Sequence, residues 1–213
     1  MNWLTKFRVS AFLIMVFNAV GCIGLNSHCC RNYFERLSAA NLLLSFALVL
    51  WCHHPVSNKK KLSAFILLVW VLGILVEAIG VSTGVVFGKY HYTNALGIAI
   101  FQVPLIIGLN WVLLTYATGV TFSTLRIPFW VKVNAGALLM VLCDILLEKF
   151  AIKHNFWVWE LTGHPPLMNF FAWWVFSLFT STLFSWLIPD TRNKLAVFYF
   201  MALLLFLLTD FLL

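Results

Sequence analysis

Charge is what this sequence has least of. Only 10% of its 213 residues are Asp, Glu, Lys or Arg, against about 25% in a soluble globular domain, while 62% are hydrophobic and 17% aromatic. A soluble domain is thereby excluded and an integral membrane protein indicated. Acids are scarcer than bases: seven Asp and Glu against fourteen Lys and Arg give +7. The bases fall singly or in short groups between apolar runs, which argues against nucleic acid as a partner and for anionic lipid headgroups. Cys22, Cys29, Cys30, Cys52 and Cys143 form no CxxC pair and read as small apolar residues. The six histidines, His28, His53, His54, His91, His154 and His164, show no HxxxH or HxxHH spacing, so a di-iron hydroxylase or desaturase lacks its ligand set. Internal repeats and paired broken helices are missing too, which weakens a transporter reading.

What is present is a series of long apolar runs. At about 20 residues per crossing the length allows at most seven or eight spans, and residues 1–213 read as one membrane domain without room for a soluble one. The fold class expected is an all-α, polytopic membrane helix bundle with about seven transmembrane helices, at about 9–25, 35–52, 62–82, 95–118, 129–148, 167–188 and 195–213. The first run follows Lys6 and Arg8 without a small-residue cleavage site, and is expected to be retained rather than removed as a signal peptide. With the N-terminus cytoplasmic, the inner loops hold Lys6, Arg8, Lys59, Lys60, Lys61, Arg126, Lys132, Arg192 and Lys194, and the outer ones Arg31, Arg36, Lys89, Lys149 and Lys153. Nine against five sets the N-terminus inside and the C-terminus outside, in the cell membrane.

Intramembrane acids are costly and mark functional sites by default. Glu77 lies in the third span, Asp144 and Glu148 in the fifth and Asp210 in the seventh, each near the C-terminal end of a span running outward, so all four are expected at a similar depth in the outer half. Asp144 and Glu148 are four residues apart, about 40° around a helix, on a stripe continued by Asn134, Ala137 and Val141; a shared pocket is expected. Around Glu77, Gly73, Gly80, Gly84 and Gly88 form a small-residue face open to a neighbouring helix or a ligand. Gln102, Pro104, Gly108, Asn110 and Trp111 are expected to kink the fourth span and place amides inside it. Between the fifth and sixth spans, Asn155 to Pro166 is too short and interrupted to cross and suits a lid or re-entrant segment at the outer interface, with Trp157 and Trp159 in the aromatic belt and Glu160 and Asn169 at a site mouth. The seventh span lacks an internal lysine for a retinal Schiff base, and no acid-rich run supplies the diphosphate–Mg²⁺ site of a prenyltransferase.

From Glu77 to about Phe184 the chain resembles the carotenoid biosynthesis membrane-protein family that includes bisanhydrobacterioruberin hydratase and the γ-carotene 1′,2′-hydratases. The match rests on Glu77-Ala-Ile-Gly80, Thr83-Gly84, Phe87-Gly88, Tyr90-His-Tyr92-Thr93, Leu96-Gly97, Pro104 and Asn110-Trp111, then on Asp144-Ile-Leu-Leu-Glu148, Phe156-Trp157-Val-Trp159-Glu160, Pro166 and Asn169-Phe170. The resemblance implies an enzyme that adds water across the terminal 1,2 double bond of an acyclic carotenoid end group, on an open-chain or monocyclic carotenoid. Such chemistry needs a proton on C2, a short-lived tertiary cation at C1 and a water delivered to C1; it leaves the oxidation level unchanged and calls for no redox cofactor or metal. A buried carboxyl suits the general acid and a better solvated one the water-orienting base. The expected assignment is Asp144 as acid and Glu148 or Glu77 as base, with Asn110, Asn169 and Glu160 in support and Trp111, Tyr90, Tyr92, Trp157 and Trp159 facing the cation. Two alternatives stay open: a carotenoid cyclase, which shares the protonation but captures the cation with a neighbouring double bond, and a proton-coupled carrier or lipid-binding protein, which leaves its ligand unchanged.

Overall fold

The computed structural model describes residues 2–53 and 59–213; Met1 and residues 54–58, among them His54, lie outside the described residues. The apolar runs form seven helices: α1 Trp3–Leu25, α2 Arg31–Trp51, α3 Lys59–Thr83, α4 Leu105–Ser123, α5 Phe129–Lys153, α6 Leu167–Leu187 and α7 Lys194–Leu212. All except α5 are long enough, and apolar enough over a stretch of eighteen residues, to cross a membrane. The 25-residue α5 carries Lys132, Asp144, Glu148, Lys149 and Lys153, and its two acids are buried inside the bundle.

Contacts between helix ends fix the alternation of direction. At one end Lys194 lies over the Trp3 ring and Lys6 over the Trp51 ring, while Lys132 donates to the Ser123 carbonyl and the Ser123 hydroxyl to that of Thr191. At the other end Asn26 donates to Asp210 at 2.8 Å, Lys153 to the Asp210 carbonyl at 2.6 Å and Arg31 to the Lys153 carbonyl. The odd-numbered helices therefore run one way and the even-numbered ones back. The central helix is α4, which packs on α2, α3, α5, α6 and α7 and buries twelve of its residues. Large apolar side chains such as Phe12, Leu67, Leu142 and Trp186 stay exposed on the outer helices, as a lipid-facing surface requires.

Two departures from the expected spans matter for the site. The fourth span was expected over 95–118 with a kink, but α4 starts ten residues later, with Pro104 as its N-cap. Proline lacks an N–H and fits just ahead of a helix, where that N–H has no intrahelical acceptor. The preceding stretch turns back as a hairpin of β2, Ala99–Ile100, and β3, Val103–Pro104, through Phe101 and Gln102 at positive φ; Gln102 is a turn residue, not an amide inside a helix. The second is that the expected lid pairs with the segment after α3. Two strands, β1 Tyr90–Tyr92 and β4 Trp157–Trp159, pair antiparallel with Tyr90 opposite Trp159 and Tyr92 opposite Trp157. They join the segment after α3 to the segment after α5 and close that end of the bundle over the acids.

Candidate active site

Strand alternation builds the roof. Side chains of successive strand residues point to opposite faces, so Tyr90 and Tyr92 of β1 and Trp157 and Trp159 of β4 share the inner face, where the rings meet: Tyr90 with Trp159 at 5.0 Å between centroids and Tyr92 with Trp157 at 5.8 Å. Their polar atoms reach down to the carboxyls. Glu77 of α3 accepts from the hydroxyl of Tyr90, from that of Tyr92 at 2.9 Å and, on its other oxygen, from Trp111 Nε1 of α4 at 3.0 Å. Glu148 of α5 accepts on Oε2 from Trp157 Nε1 at 3.0 Å and Trp159 Nε1 at 2.8 Å. Its Oε1 makes no hydrogen bond to the described residues. Burial first, and the neighbouring Glu77 carboxylate second, push the Tyr90 and Tyr92 phenols well above their ordinary range, so both remain O–H donors.

The glycines on α3 permit this approach. A Cβ on Gly73 would stand 2.9 Å from the Trp111 ring, and one on Gly80 would stand 2.6 Å from Phe87. Both lie on the Glu77 face and admit the rings that surround the carboxylate, whereas Gly84 and Gly88, expected on the same face, lie beyond the end of α3 at positive φ. The Trp111 indole stacks on Trp173 of α6 at 4.0 Å.

Glu77 and Glu148 line a cavity together with Asn110, Asn169, Trp111, Trp157, Trp159, Tyr90 and Tyr92. Its free space is about 20 Å³, and roughly 10–15 Å³ is enough to hold one water. Ile107, Asn110, Leu147 and Trp157 also line a second, far larger space of about 470 Å³. That space is a groove between α1, α2, α4, α5 and α7, walled by Leu and Phe side chains, and it follows α2 from Phe34 to Ser45, about 16 Å of helical rise. Asn110 lies at the junction, and its amide makes no hydrogen bond to the described residues.

Several expected residues stand elsewhere. Asp144 is fully buried but does not line the cavity. Its Oδ2 accepts from Asn169 Nδ2 at 2.9 Å and its Oδ1 has no partner among the described residues, so it is linked to the cavity only through Asn169. The expected shared pocket therefore holds Glu148, with Asp144 one residue removed, because α6 presents Asn169 between them. Asn134 faces outward and accepts from Trp174 Nε1 at 3.0 Å. Glu160 is half exposed and pairs with His91 at 3.4 Å. The alternation that turns Trp157 and Trp159 inward turns Val158 and Glu160 outward, which removes Glu160 from the site mouth. Asp210 is also apart: its Oδ1 is bonded to Asn26 and, at 2.9 Å, to His154 Nε2.

The sequence alone missed Trp173, Phe87, Ile107 and Leu147 in the cavity wall. Trp173 was within reach, since it follows Asn169 by four residues on one helix face. Two carboxyls, Glu77 and Glu148, fixed by neutral aromatic donors next to an apolar groove, with Asp144 behind Asn169, fit proton chemistry on a hydrocarbon. A sequence model described as carotenoid biosynthesis protein matches residues 37–213.

The chain belongs to this family. The match takes in α3 to α7 and most of α2, well beyond the stretch from Glu77 to Phe184 that carried the resemblance. No curated protein and no solved structure matches the chain. A multi-pass membrane protein of carotenoid biosynthesis thus has its carboxyls at one end of the bundle, beneath a two-stranded aromatic lid.

Proposed function

We propose that this chain is a carotenoid 1,2-hydratase of the cell membrane, a cofactor-independent hydro-lyase that adds water to the terminal double bond of an acyclic end group. The observation that carries the reading is the water-sized cavity between Glu148, Glu77, Asn110 and Asn169, which shares wall residues with an apolar groove of about 470 Å³. A cyclase needs the proton but has no use for a held water, and a proton-coupled carrier could use the acids as relays but has no need of a water placed between them and the apolar groove.

The groups suggest the following sequence. Glu148 keeps Oε2 as acceptor for two indole N–H groups, so a proton on Oε1 faces the cavity and is available to C2 of the substrate. The C1–C2 π pair forms the new C2–H bond and leaves a tertiary cation at C1. Glu77, whose oxygens receive three hydrogen bonds, supplies the fixed negative charge, and Trp111 and Trp173 present ring faces. A water held by the Asn110 and Asn169 amides attacks C1 and returns its surplus proton to Oε1 of Glu148. One water is added and the carboxyl is restored. Asp144 is a positioning residue in this scheme: it holds the Asn169 amide N–H and leaves the amide oxygen for the water. The acid role expected for Asp144 thus falls to Glu148, which lines the cavity.

The test is expression in cells that accumulate lycopene or γ-carotene, with carotenoid masses read by liquid chromatography and mass spectrometry beside a Glu148→Gln control. A product heavier by one water in the wild type and absent in the control is expected. An isomer of unchanged mass would make the protein a cyclase, and unchanged substrate in both hosts would return it to the carrier class.

A further inference from the structure

At the end of the bundle opposite the acids lies a third cavity, about 230 Å³, between α4, α5 and α6. It plays no part in the scheme above, and its wall is unlike that of the groove. Lys132, Ser181 and Ser185 line it, with Gly119 and Gly136 where larger side chains would close it. Ser181 is 3% exposed and its hydroxyl has no partner among the described residues. A hydroxyl buried in a membrane bundle without an acceptor or donor is costly, so its persistence beside an open volume points to a ligand that satisfies it.

The charge around the cavity gives the ligand a sign. Lys132 spends one of its three N–H bonds on the Ser123 carbonyl at 3.1 Å and keeps two. Phe129, the first residue of α5, is also in the wall, and Pro128 caps that helix without a side-chain hydrogen bond; the first-turn N–H groups carry the positive end of a 25-residue helix dipole. Arg126 is exposed in the same connection, and the nearest acid, Asp190, is exposed in the turn beyond Pro189. Donors therefore converge without a carboxylate in the wall.

We propose that this cavity binds a phosphate group, supplied by the headgroup of a membrane phospholipid, with Lys132, Ser181 and Ser185 as its donors. A phosphoryl oxygen reaching Ser181 accepts the bond that the protein leaves unmade, and the acyl chains lie on the apolar flanks of α5 and α6, where Trp130, Leu138 and Phe179 are exposed.

The test uses the full chain, purified in detergent and stripped of lipid, with thermal unfolding read against added short-chain phosphatidylglycerol, the matching diacylglycerol and inorganic phosphate. Phosphatidylglycerol is expected to raise the midpoint by several degrees and diacylglycerol to leave it unchanged. The half-maximal concentration should rise at least tenfold in Lys132→Gln and in the milder Ser181→Ala, whereas Lys6→Gln, a charge removed at the same end but outside the cavity, should match wild type. A shift with inorganic phosphate that the two cavity variants lose would support the site with free phosphate as its source. Equal response to phosphatidylglycerol and diacylglycerol, or equal response of wild type and both cavity variants, would overturn it.

Discussion

The sharpest division at the residue scale is between Glu148 and Asp144, four positions apart on one helix. Glu148 lines the cavity with a free oxygen, while Asp144 reaches it only through Asn169. Loss of a general acid typically costs about 10²–10⁴ in rate, so Glu148→Gln is expected to lower the hydration rate by at least about 100-fold with the protein still folded. Asp144→Asn should cost less, roughly 10-fold, and should recover little when Asn169 is already Ala, because the two act as a unit; product formation in the double-variant cycle checks this. Tyr92→Phe removes one of three donors on Glu77. A hydrogen bond to a charged group is worth about 1.5–3 kcal/mol, and a 10- to 100-fold fall in turnover with little change in half-saturation is the expected result. The rarity of acids inside spans made all three carboxyls visible in the sequence, the interrupted segment after the fifth span pointed to Trp157 and Trp159, and Tyr90 and Tyr92 came with the family resemblance. The order of the acids around the cavity was not legible, since a side chain of α6 decides it.

Among the elements, the lid and the start of α4 differ most from what hydropathy suggests. An apolar stretch from 95 to 118 looks continuous in a sliding window, but Pro104 cannot donate to a helix, and the Phe101–Gln102 turn sends the chain back before α4 begins. The strands β1 and β4 are three residues each and pair across 65 residues of sequence, too far and too short for local pattern to reveal. Their junction with α3 passes through Gly88 at φ 113°, where a Cβ would stand 2.8 Å from Pro166 and 3.1 Å from Trp159. Only glycine adopts that conformation without strain. Gly88→Val is therefore expected to lift Trp159 off Glu148 and cut hydration by more than 10-fold while the seven helices persist. Unchanged far-ultraviolet circular dichroism beside lost product formation would be the signature, and full activity would show that the lid need not close.

For the whole molecule, polar groups at one end do two separate jobs. The Asp210 carboxyl ties Asn26 after α1 to His154 after α5, and its backbone carbonyl takes the Lys153 ammonium. This cluster joins helices that flank the groove yet touches neither cavity wall at its acids. Breaking one partner of a buried ion pair is strongly destabilising, so Asp210→Asn should lower the thermal midpoint by roughly 5 °C or more without altering the hydration rate of the folded fraction. The groove itself was invisible in the sequence because five helices contribute to it, each through residues that read as ordinary lipid-facing or core positions. Its depth now gives it a testable role. Ser45 lies on its wall about 16 Å along α2 from Phe34, far from the carboxyls. A bulky side chain there leaves the chemistry intact but obstructs a long polyene. Ser45→Trp is expected to raise the half-saturating concentration of a full-length carotenoid at least 10-fold, and to leave hydration of a short acyclic isoprenoid that ends before residue 45 unaffected. Equal loss on both substrates would mean that the insertion disturbs the acids, and equal retention would mean that the polyene lies somewhere other than this groove.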